Sequence, residues 1–129
     1  MKNAELNRLG SIILDACITV HRELGPGLLE STYLLALSQE FTLRSLNHRT
    51  QVPVELFYKG APLGKSYVMD LLVEEEIIIE IKAVEAMHPV YEAQLITYLR
   101  LSNRKLGYLI NFNVLLLKSG FRRIVYRFN

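Results

Sequence analysis

Apolar residues recur at Leu6, Leu9, Ile12, Ile13, Ala16, Cys17, Val20 and Leu24, the three-and-four spacing that holds one stripe of a helix against a core. The spacing predicts a helix over residues 6–24. Gly25-Pro26-Gly27 ends it, because glycine accepts left-handed backbone angles and proline cannot continue a helix interior. A second helical pattern covers residues 28–46, with Leu34, Leu35, Leu37 and Phe41 on its apolar side. After Asn47 the period falls to two: Val52, Val54 and Leu56 alternate with Pro53, Glu55 and Phe57, and the run ends at Tyr58 before Lys59-Gly60. Pro53 has no amide hydrogen to give to a neighbour, so this strand is expected at a sheet edge.

Gly64 opens the next predicted strand, over residues 65–73. Glu74, Glu75 and Glu76 then turn the chain into a very apolar strand over residues 77–83. His88-Pro89 marks a helix start, with proline at the first helical position, and the helix is expected to run to Leu101 before Ser102-Asn103. Strands over 106–111 and 122–128 complete the order ααβββαββ. No repeat or linker interrupts it, so residues 1–129 read as one mixed α/β domain.

Half of the residues are apolar, and a chain of 129 residues buries roughly two-thirds of its unfolded surface, enough for one core. No apolar run approaches bilayer length and residues 1–9 are polar rather than signal-like, which predicts a cytoplasmic protein without membrane contact. Cys17 has no second cysteine to pair with and falls on the apolar helix stripe, so it reads as core. The net charge of +2 is too small to announce nucleic acid. The basic C-terminal group Lys118, Arg122, Arg123 and Arg127 and the acidic Glu74–Glu76 turn each read as solvated surface. His21, His48 and His88 lack zinc-ligand spacing, and His48 and His88 are expected on the surface.

Glu80 and Lys82 stand out because they share one face of a strand otherwise built from Ile77, Ile78, Ile79 and Ile81. Buried charges are costly unless partners compensate them. If the hairpin turn is centred on Glu75, antiparallel pairing sets Asp70 opposite Glu80, where Cβ atoms lie about 4.5–5.5 Å apart and like charges repel. Lys82 supplies one positive charge between them, and a hard divalent cation, Mg²⁺ or Mn²⁺, would supply the rest. A plainer reading is a salt bridge of Lys82 with Glu80 or Asp70 and no metal. A register shift of one residue would send Asp70 to the other face. Gln94 and Tyr98, at i and i+4, share a side of the following helix, and Glu30 and Tyr33, at i and i+3, share one near the start of the second helix.

Asp70, Glu80-Ile81-Lys82 and Gln94-Leu95-Ile96-Thr97-Tyr98 together resemble the D, E-x-K and Q-x-x-x-Y series of RecB-like nucleases in the PD-(D/E)XK superfamily. Gly27-Leu28-Leu29-Glu30-Ser31-Thr32-Tyr33, with the flanking His21–Pro26 segment and Ile110-Asn111-Phe112-Asn113, resembles the bacterial GxxExxY protein family. The resemblance spans nearly the whole chain. It implies a PD-(D/E)XK nuclease-like core, a central mixed β-sheet flanked by helices. It also implies metal ligation by Asp70 and Glu80, water activation by Lys82, an accessory carboxylate at Glu30, orientation of the metal shell or phosphate by Gln94 and Tyr98, and His21 near the site. The expected activity is metal-dependent hydrolysis of phosphodiester bonds in nucleic acid, DNA ahead of RNA. The alternative is a non-catalytic nucleic-acid-binding or regulatory module that keeps the fold. A chain this short has little room for a separate DNA-reading domain, which leaves specificity absent or supplied by a protein partner and leaves a homodimer open.

Overall fold

The strand Ile77–Lys82 lies at the centre of the sheet, and its alternation sorts what packs on either side. A computed structural model describes the backbone of all 129 residues and the side chains of all but residues 65 and 66. The elements follow as α1 (Asn3–Leu24), α2 (Glu30–Leu43), β1 (His48–Tyr58), β2 (Ala61–Val73), β3 (Ile77–Lys82), α3 (Pro89–Ser102), β4 (Leu106–Asn111), a single 3-10 turn at Leu117–Gly120, and β5 (Phe121–Val125). The five strands lie in chain order in one sheet, antiparallel except for β3 and β4, which are parallel and joined through α3. A parallel pair needs such a crossover, since no tight turn can return the chain to the same end.

Ile77, Ile79 and Ile81 join Leu71, Val73 and Ile110 beneath α1 and α2, whereas Ile78, Leu72 and Leu109 meet Leu95, Tyr98 and Leu99 of α3 on the other face. The result is a mixed sheet between two helical layers. Burial on both faces explains why β3 is a run of isoleucines rather than an alternating strand. No helix among the described residues is long and apolar enough to cross a membrane.

The fold class and element order agree with the sequence pattern, β1 is the edge strand that Pro53 requires, and Cys17 is fully buried. The element ends differ for local reasons. Helix α2 begins at Glu30 rather than Leu28, because Leu29 is extended (φ −73°, ψ 149°) and stands as its N-cap. It ends at Leu43 rather than Leu46: Ser45 adopts φ 56°, and the Ser45 and Leu46 amides return to the Thr42 and Phe41 carbonyls. Leu46 continues the apolar pattern as the hydrophobic residue that closes this kind of helix end.

Strand β1 starts four residues earlier than the alternation indicated, at His48, and β5 stops at Val125. Gly64, expected to open β2, lies inside it at φ 71°, beside the register shift between Glu55 and Phe57, so it makes a bulge instead of a boundary. His48 is not a free surface residue. It is half-buried, with its ring nitrogens 2.8 Å from Ser38 Oγ and 2.9 Å from the Leu46 carbonyl. His88 is exposed and caps α3 by accepting the Val90 N–H.

At Gly120 the chain passes so near β4 that a Cβ atom would lie 2.2 Å from the Asn111 carbonyl oxygen. Backbone cannot rotate away as a side chain could. Gly120→Ala is therefore expected to destabilise the fold by about 1–3 kcal/mol, read as a lower urea midpoint at unchanged slope.

Candidate active site where β2 and β3 part

The β2–β3 pairs Val73–Ile77, Leu72–Ile78 and Leu71–Ile79 centre on Glu75, and the ladder stops there although both strands run on. At the next position side chains replace backbone partners. The Asp70 N–H donates to Glu80 Oε2 at 2.8 Å, and the Ile81 N–H donates to Asp70 Oδ2 at 2.8 Å. Each carboxylate is thus tied to the opposite strand, and the expected facing of Asp70 and Glu80 is realised as a reciprocal clasp.

The twist of the hairpin is concentrated at this point. Met69 packs on the α3 side while Leu71, two residues on, packs on the α1–α2 side, so the alternation of β2 breaks at Asp70. On β1, pairing passes from Thr50–Leu71 to Val52–Met69, and the intervening Gln51 takes φ 54°. A left-handed backbone costs a residue with a Cβ roughly 1–2 kcal/mol.

Glu80 is only 5 % exposed, and burial, reinforced by the Asp70 charge, pushes its pKa up to about 8 against the opposing pull of the Asp70 N–H and Lys82. Burial likewise raises Asp70, opposed by the Ile81 N–H bond and by Lys82. Glu30 pushes both up through its charge. Two carboxyls in one buried opening resist being ionised together.

Lys82 follows Glu80 on the same side of β3, with its Nζ 4.6 Å from the centre of the Tyr91 ring on α3. It makes no ion pair within 4 Å with either carboxylate among the described residues, so the simple salt bridge weighed from the sequence is not what this geometry holds. Tyr98 is 3 % exposed, and burial followed by the Glu80 and Asp70 charges drives its hydroxyl up to about 12, further from the neutral range in which a tyrosine is already protonated. Gln94, one turn earlier on α3, is half-buried and lines a cleft with Tyr67, Tyr91 and Tyr98.

The second-helix motif divides its labour. Glu30 is exposed at the first position of α2 and reaches the carboxylates through charge alone. Tyr33 is fully buried: its hydroxyl donates to the Gly25 carbonyl and accepts the Leu28 N–H, and its ring stacks on Phe112 at 4.6 Å. That fixes the loop leading into Glu30. His21, expected near the site, sets its Nε2 2.7 Å from the Val114 carbonyl and its ring 6.3 Å from Phe112, the ring on which Tyr33 stacks.

Two contributors had no assigned role in the sequence reading. Asn111, 3 % exposed, accepts the Val84 and Asn113 amides and donates to the Val84 carbonyl, which pins the chain just past Lys82. Its signal was a lone polar residue closing an otherwise apolar strand. Tyr91 lies three residues before Gln94 and seven before Tyr98, a helical spacing that could have placed it with them. Among the described residues no group of three or more His, Cys, Asp or Glu side chains is arranged to hold a metal.

A sequence model of the PD-(D/E)XK nuclease superfamily matches residues 7–124. No curated protein and no solved structure gives a significant match.

A carboxyl whose folded pKa lies above its unfolded value stabilises the fold below the unfolded pKa, and that contribution is lost as pH rises through the folded pKa. Both carboxyls are raised, so without divalent cation the melting temperature should fall as pH climbs from the ordinary carboxyl range through about 8. Glu80→Gln should flatten this decline in melts in chelator from about pH 5 to about pH 9. An equal slope in both proteins would contradict the assigned burial.

Proposed function

Because the chain belongs to the PD-(D/E)XK nuclease superfamily, we propose that it is a divalent-metal-dependent nuclease that hydrolyses phosphodiester bonds, in DNA ahead of RNA. The observation that supports this most directly is the clasped pair of the half-buried Asp70 and the buried Glu80, both with raised pKa values and neither in ion-pair contact with a lysine among the described residues. A cation between them relieves a burial and repulsion that Lys82 and the two amides offset only in part.

The donor set fits a hard ion. One oxygen of each carboxylate receives a backbone amide, and the other, Asp70 Oδ1 or Glu80 Oε1, has no hydrogen bond from a described residue. Two carboxylates suit Mg²⁺ or Mn²⁺, because Mg²⁺ in particular keeps several waters and seldom takes an all-protein cage. Such an ion supplies a Lewis acid that acidifies water and neutralises charge on a phosphate.

The chain's own groups do the rest. Lys82, its stem fixed by β3 and its ammonium over Tyr91, offers a positive charge to the phosphate and the attacking water. Tyr98 offers a neutral hydroxyl donor from α3, and Gln94 extends that polar edge outward by one turn. Glu30 adds negative potential that favours cation binding. Asn111 and Tyr33 act at one remove, on the segments that carry Lys82 and Glu30.

Millimolar Mg²⁺ or Mn²⁺ should raise the melting temperature of the protein, by the equivalent of about 2.7 kcal/mol at a hundredfold excess over Kd. Asp70→Ala should abolish the shift. Lys82→Ala should keep it and lose cleavage by a factor on the order of 10²–10³ on a panel of linear, nicked and single-stranded DNAs with RNA controls. Wild-type protein that binds metal and cleaves nothing on the panel would favour a non-catalytic nucleic-acid-binding module.

A further inference from the structure

Helix α3 and the β1–β2 hairpin enclose a cleft of about 500 Å³ whose lining includes Leu56, Tyr67, Tyr91, Gln94, Thr97 and Tyr98. Tyr98 joins it to the carboxylates, since the same side chain lines the cleft and responds to the charges of Glu80 and Asp70. Three tyrosines surround the space, and among the described residues no charged side chain lines it. The Tyr67 ring is 45 % exposed and lies 6.4 Å from Tyr98, inclined by 47°. The Gln94 amide has no hydrogen bond among the described residues, so a paired donor and acceptor stand free at the wall.

Neutral, aromatic and apolar walls next to a cationic lysine match one part of a nucleotide and exclude another. A phosphate belongs with Lys82, whereas a flat uncharged base belongs against an exposed tyrosine ring. A base in a duplex has both faces stacked, so it can enter only once it leaves the helix. We propose that this cleft receives an unstacked nucleobase of single-stranded nucleic acid, stacked on Tyr67 with its edge toward the Gln94 amide. The inference rests on the nuclease reading for the placement of the adjoining phosphate beside Asp70 and Glu80. It assigns the enzyme a preference for single strands or frayed ends that tolerates sequence, because every base has a π-face.

The test uses the intact protein and a single-stranded DNA carrying one 2-aminopurine, alone or annealed to its complement, titrated by fluorescence in Ca²⁺ and, separately, in chelator. Expected are tighter binding of the single strand than of the duplex, and a roughly tenfold loss of single-strand affinity in Tyr67→Leu, the size of one lost stacking contact. Gln94→Ala should weaken the same strand with unchanged melting temperature. Equal binding of single strand and duplex, or Tyr67→Leu binding like wild type at unchanged melting temperature, overturns the proposal. If Tyr67→Leu itself melts lower, Tyr67→Phe, which keeps the ring, must restore single-strand affinity for the proposal to stand. Failure of the nuclease reading looks different: the strand binds through Tyr67 and no substrate is cut in Mg²⁺ or Mn²⁺. Cleavage that is indifferent to Tyr67→Leu removes the base site and leaves the nuclease.

Discussion

The clasp between Asp70 and Glu80 is the constraint around which the rest of the molecule is arranged. Beyond Leu71–Ile79 the two strands no longer pair, and the Asp70 and Ile81 amides would lack partners inside the sheet. Each is satisfied by the carboxylate of the other strand. An unpaired buried amide costs free energy comparable to a lost hydrogen bond, so the acids serve the backbone as well as any chemistry. The reverse also holds: the amides help make a buried Glu80 and a half-buried Asp70 tolerable, and burial still outweighs them, since both carboxyls are raised.

The helical layers treat this opening unequally. On one face α1 and α2 press Leu9, Ile13, Cys17, Leu37 and Phe41 onto the aliphatic side of the sheet and close it to solvent. On the other, α3 brings Leu95 and Leu99 as packing and Tyr91 and Tyr98 as polar-tipped rings. The site therefore opens on the α3 side, where the strand alternation also delivers Glu80 and Lys82. Glycine at 107 permits the close seat of α3, since a Cβ there would meet Leu95 at 3.0 Å and the Ile78 carbonyl at 3.1 Å.

Much of this was readable along the chain because it depends on local periodicity. The isoleucine run of β3 required burial on two faces, Pro53 required an edge, and Glu75 at the hairpin centre set Asp70 against Glu80. Element ends were harder, because they turn on the backbone angles of single residues. An extended Leu29 delays α2, Ser45 ends it, and Gly64 bulges β2 instead of starting it. His48 read as surface because nothing in the sequence shows Ser38 and the Leu46 carbonyl folding around it.

The sequence by itself determined the order of elements, the faces of each strand and the set of polar residues that an apolar core would need to explain. These follow from periods of two and of about three and a half, which act over a few residues. Only the tertiary structure decided that the acids clasp each other's amides, that Lys82 rests on Tyr91 rather than on a carboxylate, that Tyr33 locks a loop while Glu30 faces solvent, and that a cleft forms beside Tyr98. Each of these joins residues from separate elements. Their distances are set by how layers dock, by where a ladder stops and by which side chain reaches an unpaired group first, and no local pattern carries that information.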